Sequence, residues 1–438
     1  MAINPIGRHA VQPDVTPSRF RPVLWALGAL LGYSLVAGVE AQTRTGAPML
    51  SKMQWRDDVR YFARELPKRH KNAFHATTRE QFERDVAALD AAIPSLEDHH
   101  IIVKLQQLAA AIGDGHTRVQ LPADFMRYPI NVYWFRRELR VIATTKQYEG
   151  ALGARVVKIG DVDIIDVASR VSTCFPSAVN ENDWYVLNMG PGVMVRPEVL
   201  HALGVVSDLS HASFTLQHDD GRVGTIDIAP VVLPPPVNGV VNLELQPVAA
   251  PPLSRQKPAE PFWFSYLQES QTTYANFRRY PSLKQNARAL FEFIDRNPTK
   301  RLVIDLRQNG GGDFFEGREH LIEPIKKRPA INQKGRLFVA VGRQTFSAAM
   351  VNAIDFRKDT NAILVGEPIG ERPNSYSEND EMTLPNSKLV VSYSTRYYKF
   401  VDEDVPAVLP DMHIEQTWAD FRAGRDGVMD WILSRPMP

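Results

Sequence analysis

Residues 301–313 read RLVIDLRQNGGGD, residues 335–356 read GRLFVAVGRQTFSAAMVNAIDF, and residues 362–370 read AILVGEPIG. Residues 301–306 and 337–341 are short, β-branched apolar runs, the pattern of strands buried on both faces. Each run stops at a loop of small residues. The first loop is Gln308-Asn309-Gly310-Gly311-Gly312, and the second runs from Gly342 to Ser347. Ala348 then opens a helix with Ala349, Met350, Ala353 and Ile354 on its apolar face. Glycines lacking Cβ let a substrate approach bare backbone N–H groups. A serine at the head of a helix meets free N–H groups and the positive end of the helix dipole, which favour developing negative charge. A nucleophile facing such an oxyanion site is the arrangement acyl transfer requires. Gly-rich turns and serine helix caps also serve purely structural ends in α/β proteins.

Outward from this stretch the pattern alternates strand and helix. Residues 271–277 read as a strand and residues 282–294 as a helix with Leu283, Ala287, Leu290, Phe291 and Ile294 inward. The 302 strand, a helix over 315–322, the 337 strand, the 348 helix and the 363 strand follow. That order predicts right-handed crossovers and a largely parallel sheet. Residues 389–394 and 395–400 read as extended. A closing helix is expected over 418–433, with Trp418, Phe421, Val428 and Ile432 apolar.

Upstream, residues 53–112 show helical periodicity. Trp55, Val59, Phe62 and Leu66 recur at three- and four-residue spacing. Thr78 and Gln81 form a capping-box signature, and Ser95 is expected to open a third helix that ends at Gly113-Asp114-Gly115-His116. His70, His75, His99 and His100 fall on this helical cap without HExxH spacing, which predicts surface or capping roles and no metal. Residues 130–135, 139–144, 154–159, 214–218 and 225–228 read as strands, with helix expected over 180–184 and 191–203. Proline-rich segments at 231–236 and 247–261 place a boundary near Arg255.

At 438 residues the chain has room for two or three domains. A net charge of +1 removes any electrostatic case for nucleic-acid binding. The single cysteine, Cys174, cannot form an internal disulfide. Arg8, Arg19 and Arg21 precede an uncharged run over 23–39, and Val39-Glu40-Ala41 offers small residues at the positions a signal peptidase reads. A cleaved signal peptide over 1–41 and a periplasmic or secreted location are expected. The alternative is an uncleaved anchor over 23–39, which is also the chain's one expected membrane contact.

The motifs IDLRQNGGG, GRQTFSAA and ILVGEPIG, with IGDGHTRV at 112–119, resemble the serine peptidases of the C-terminal-processing (tail-specific) and tricorn protease family. The resemblance is densest over 261–427. It implies an α/β fold whose catalytic domain, at 255–438, is a crotonase-like spiral of ββα units. A small helical cap at 51–120 and a β-rich, PDZ-like region at 121–250 would precede it. The stretch GALGARVVKIG at 150–160 is similar to the strand and turn of a PDZ-like module, which would grip an extended peptide by strand addition. The implied substrate is a peptide or protein, and neither metal nor organic cofactor is implied.

Ser347 is the expected nucleophile. No lysine stands between Lys358 and Lys388, and Arg372 cannot deprotonate, so a Ser–Lys dyad would need Lys388 or Lys399 to rearrange. His116, in a glycine-punctuated loop in the family's Asp-x-His-Thr/Ser context, is the expected base. The resemblance places the orienting acid shortly before a Pro-Asp, giving Asp404, with Glu403 second. The oxyanion hole would combine the N–H groups of Ala348 and Gly311. No GxSxG elbow is present. The other reading is a non-catalytic protein on the same fold that binds a peptide or an apolar ligand.

Overall fold

The computed structural model describes residues 50–232, 240–242 and 251–438. The expected signal segment, 1–41, and the anchor run, 23–39, lie outside them. No helix of the described residues is long and apolar enough to cross a membrane. The architecture is mixed α/β, with three sheets among the described residues.

The sheet that carries the loops of interest runs Met412–His413, Ile363–Gly366, Leu337–Val341, Arg301–Asp305, Thr272–Phe277, Phe262–Leu267. All neighbours pair in parallel except the last, an antiparallel edge strand that the sequence reading missed. Arg301–Asp305 and Leu337–Val341 are buried at every position, as their unbroken apolar runs require. Helix Leu283–Arg296 buries the five expected residues.

The second sheet is built from Ile130–Phe135, Glu138–Thr145, Arg155–Ile159, Ala212–Gln217 and Val223–Ile228, with Val240–Asn242 beside Glu138–Thr145 and Val162–Asp163 beside Arg155–Ile159, all antiparallel. The third is a long hairpin, Asn374–Thr383 with Val390–Lys399, joined on its edge by Arg118–Val119. Asn374–Thr383 was not expected to be a strand. Its sequence NSYSENDEMT has no alternation to read, and only Asn374, Ser375 and Met382 are buried.

The N-terminal helices are Lys52–Arg69, Arg79–Ala92 and Asp98–Ala110. Thr78 caps the second by accepting from Gln81 N. Ser95 does not open the third: it closes a short turn led by Pro94, and the helix starts three residues later behind Glu97. Apolar side chains of these helices, of the antiparallel sheet and of the hairpin form one continuous core that includes Phe62, Leu105, Val141, Phe214 and Val391. The closing helix is two helices, Trp418–Arg422 and Gly427–Ser434. Gly424, at φ +67°, ends the first, and Asp426 caps the second by accepting from Met429 N.

Candidate active site

Strands Arg301–Asp305 and Leu337–Val341 are parallel neighbours in register, with Asp305 opposite Ala340. Their carboxyl ends therefore deliver both small-residue loops to one place, where open α/β sheets hold their ligands. The loops are tied together: Phe346 N donates to Asn309 O at 3.0 Å, and Thr345 Oγ1 donates to Leu306 O at 2.9 Å. Asp305 and Arg307 are structural, as Arg307 bonds both Asp305 and Asp426.

Ser347 sits at φ +53°, ψ −125°, before the first turn of helix Ala348–Asp359. A residue with a Cβ is held in such a conformation only when its surroundings over-determine it, and such strain concentrates at functional positions. Gly311, at φ +109°, packs against it so closely that a Cβ there would lie 2.7 Å from Ser347 Cβ. The N–H of Ala348 has no acceptor among the described residues and remains free at the helix start.

His116 reaches the site from the other side of the sequence. After helix Asp98–Ala110, Gly113 turns the chain at φ +100°. Asp114 then organises the loop, accepting from His116 N at 3.1 Å, Thr117 N at 2.8 Å, Ser394 Oγ at 2.7 Å and His70 Nε2 at 2.9 Å. Burial opposes its charge, but bonds from His70, His75 and Ser394 hold its carboxyl well below the usual range. Pairing of Arg118 with Ser392 docks the loop on the hairpin. His116 Nε2 thus lies 3.4 Å from Ser347 Oγ and 3.3 Å from Ser377 Oγ. The imidazole is 7% exposed and stacks on Phe346 with ring centroids 4.8 Å apart. Burial lowers its pKa to about 4, so the ring is neutral near pH 7.

A buried glutamate completes the cluster. Glu371, 1% exposed, accepts the N–H of Ser347 through Oε2, and its Oε1 lies 3.7 Å from His116 Nδ1. Glu181 lies behind it, accepting from Gly115 N at 2.8 Å and Arg372 N at 2.7 Å. Burial, and then the Glu181 charge, push Glu371 well above the ordinary carboxylate range. Burial raises Glu181 to about 8.

The sequence-predicted residues divide. Ser347, Ala348, His116 and Gly311 come together. Asp404 does not: its side chain is 73% exposed and forms an ion pair with Arg372 at 2.8 Å. Glu403 is likewise exposed. The carboxylate facing the imidazole is Glu371, which the sequence reading passed over because it sought the acid near Pro410-Asp411. Gly311 lies beside the serine, but its N–H donates to Asn309 Oδ1 at 3.0 Å. The N–H groups of Gly310 and Gly312 have no acceptor among the described residues. Ser377 was missed with the strand that carries it. Two of the cap histidines are not on the surface: His70 is buried against Asp114, and His99 is buried against His201.

No family model matches the chain, and no curated protein matches it by sequence. Solved structures do share its fold. Mature CPAF complexed with lactacystin superposes with a TM-score of 0.58 at 10% identity, covering 87% of this chain and 97% of its own. A CPAF mutant with alanine in place of a serine gives 0.59 at 10% identity, covering 87% and 96%. The photosystem II D1 C-terminal processing protease gives 0.40 at 12% identity, covering 82% and 93%. The chain therefore has the mixed α/β fold of CPAF.

Proposed function

We propose that the chain is a serine peptidase of the tail-specific and tricorn-like class, with Ser347 as nucleophile, His116 as general base and Glu371 as the group that orients the base. The observation that carries this reading is the contact of a strained, helix-heading Ser347 hydroxyl with a buried, neutral imidazole at 3.4 Å. Contacts of this kind are looser in the free enzyme than with substrate bound. The fold shared with CPAF, and the names of the neighbouring proteases, support a peptide or protein substrate.

In the first step His116 Nε2 takes the proton from Ser347 Oγ as the oxygen attacks the scissile carbonyl. The imidazolium forms beside Glu371, whose Oε1 would accept Nδ1–H and steady the new charge. The tetrahedral oxyanion is received by the Ala348 N–H and a second N–H from Gly310–Gly312. Gly311 would have to leave Asn309 Oδ1 to serve, whereas Gly310 and Gly312 need release nothing. The protonated His116 then gives its Nε2 proton to the leaving amine as the C–N bond breaks, and water, deprotonated by the same imidazole, hydrolyses the acyl-enzyme by the same route in reverse. The crotonase-like arrangement of residues 255–438 would present this site, and a PDZ-like use of residues 121–250 would hold the peptide by strand addition. Export through residues 1–41 would place the enzyme in the periplasm or outside the cell.

A fluorophosphonate probe tests the reading. It should label the purified protein at Ser347, and Ser347→Ala should abolish labelling. A folded protein that fails to label would overturn the assignment and leave the non-catalytic binder.

A further inference from the structure

Three histidines that the proposed peptidase does not use converge away from Ser347. His99 and His100 stand in the first turn of helix Asp98–Ala110, and His201 in the short helix Pro197–Ala202. One ring nitrogen from each lies within 4.8 Å of the other two. Their ring centroids form a triangle with sides of 4.3, 5.0 and 5.1 Å. We propose that His99, His100 and His201 form a binding site for a divalent transition-metal ion, Zn²⁺ in the first instance, that cross-links the helical cap to the Pro197–Ala202 helix.

Four features support the assignment. The donors are imidazole nitrogens only, a set suited to zinc, copper and nickel and not to magnesium or calcium. A tetrahedral ion ~2.0–2.1 Å from each nitrogen sets neighbouring nitrogens ~3.4 Å apart, within reach of small ring rotations here. His99 Nε2 and His201 Nδ1 are already 2.8 Å apart, while the buried Nδ1 of His100 has no hydrogen-bond partner. Such an orphaned, buried nitrogen costs stability unless something binds it. Finally, Glu97 Oε2 lies 3.8 Å from His99 Nδ1, where it can accept that ring's N–H and turn Nε2 toward an ion, as carboxylates behind metal-bound histidines do.

A second cluster, His70, His75 and Asp114, is equally compact but is chemically unlike the first. His70 Nδ1 accepts the N–H of Asn72, so its Nε2 carries the proton that it donates to Asp114. Asp114 also holds Ser394 and two backbone N–H groups. Those lone pairs are committed to the His116 loop, which makes this cluster the natural control.

The test is metal titration of full-length protein stripped with a chelator. Zn²⁺ should bind with micromolar affinity or better at this site and raise Tm. Co²⁺ should give the visible absorption of a tetrahedral site, bleached by Zn²⁺. His100→Gln sacrifices no hydrogen bond of the orphaned nitrogen, so it should melt like the metal-free parent and show neither effect. His201→Ala should weaken Zn²⁺ binding ~100-fold or more, and Glu97→Gln by the ~10–100-fold expected of an outer partner. His70→Gln/His75→Gln should leave the Co²⁺ spectrum intact. Absence of Zn²⁺ binding by the parent protein would overturn the proposal, as would undiminished binding and an unchanged Co²⁺ spectrum in folded His100→Gln. Neither readout depends on peptidase activity, so failure here would leave the Ser347 assignment untouched.

Discussion

Glu371 accepts the backbone N–H of Ser347 through one carboxylate oxygen and holds the other 3.7 Å from Nδ1 of His116. One side chain therefore braces the strained backbone of Ser347 and faces the back of the His116 ring. It follows the strand Ile363–Gly366 directly, in the stretch EPIGE, whose Gly370 passes so close to Arg343 that a Cβ would lie 2.2 Å from the carbonyl oxygen. The serine loop and the acid loop are thus packed backbone to backbone, and the acid's reach to Ser347 follows from that contact.

The first prediction separates the two candidate acids. Glu371→Gln keeps the shape but can turn an amide N–H toward His116 Nδ1, fixing the tautomer whose Nε2 already holds a proton, and should slow fluorophosphonate labelling of Ser347 by up to ~10⁴-fold, the scale on which an amide disables a Ser–His–acid arrangement. Asp404→Asn removes only a solvent-exposed ion pair with Arg372 and should change the labelling rate by no more than ~2-fold. The reverse ranking would return the role to the acidic turn at 402–404.

A second prediction concerns the glycine loop. Gly311→Ala must place a methyl 2.7 Å from Ser347 Cβ at a φ of +109°, so we expect a loss of about 1–3 kcal/mol in stability together with slower labelling. Gly310→Ala meets nothing within 4 Å and should stay within about 0.5 kcal/mol. Chemical denaturation of the two variants, with labelling run in parallel, checks both statements. Equal stability losses would mean that the close approach to Ser347 is not what demands glycine.

How much of this was legible beforehand depends on what each residue's role leaves in the sequence. The parallel strands were readable because burial on both faces writes an unbroken apolar run, and Ser347 and Gly311 because turn chemistry demands small residues. His116 was singled out by the glycine-punctuated loop around it together with the family's Asp-x-His-Thr/Ser context. Glu371 and Ser377 were not. Each owes its place to a tertiary contact, with residues 24 positions away in one case and 261 in the other, and nothing local marks it. The polar strand Asn374–Thr383 escaped for the same reason: its pairing with Val390–Lys399 is a backbone property that its side chains do not announce. The broken closing helix was legible in principle, since Gly424 and Asp426 form a stop and a start two residues apart, but the apolar periodicity on either side masked them.

The third prediction is the acid limb of the rate profile. The base must be neutral to accept the serine proton, and burial lowers the His116 pKa from an ordinary 6.5 to about 4. Protonation therefore sets in only at low pH. kcat/KM should hold level as pH falls from 7 through 5, then decline through about pH 4. A limb centred near 6.5 would show that the imidazole is exposed to water in solution and that the buried pose is not the working one.

The fourth prediction uses the carboxyl behind the site. Glu181 is raised from 4.5 to about 8 by burial, against the opposing pull of the Arg372 and Gly115 N–H groups. Between those values the folded chain holds a proton on Glu181 that the unfolded chain has released. The unfolded state thus binds fewer protons, and stability must fall as pH rises from 4.5 through 8, by at most ~1.4 kcal/mol per pH unit from this group. Its contribution is fully present below 4.5. Glu371, also raised, adds a slope of the same sign. Glu181→Gln cannot ionise, so it removes its own share and leaves that of Glu371. Urea unfolding at pH 5, 6, 7 and 8 should give a flatter line for Glu181→Gln than for the parent, whatever the offset between them from the bond its amide cannot accept. Parallel lines would mean that Glu181 is already ionised across this range, and that the two N–H groups it accepts from outweigh its burial.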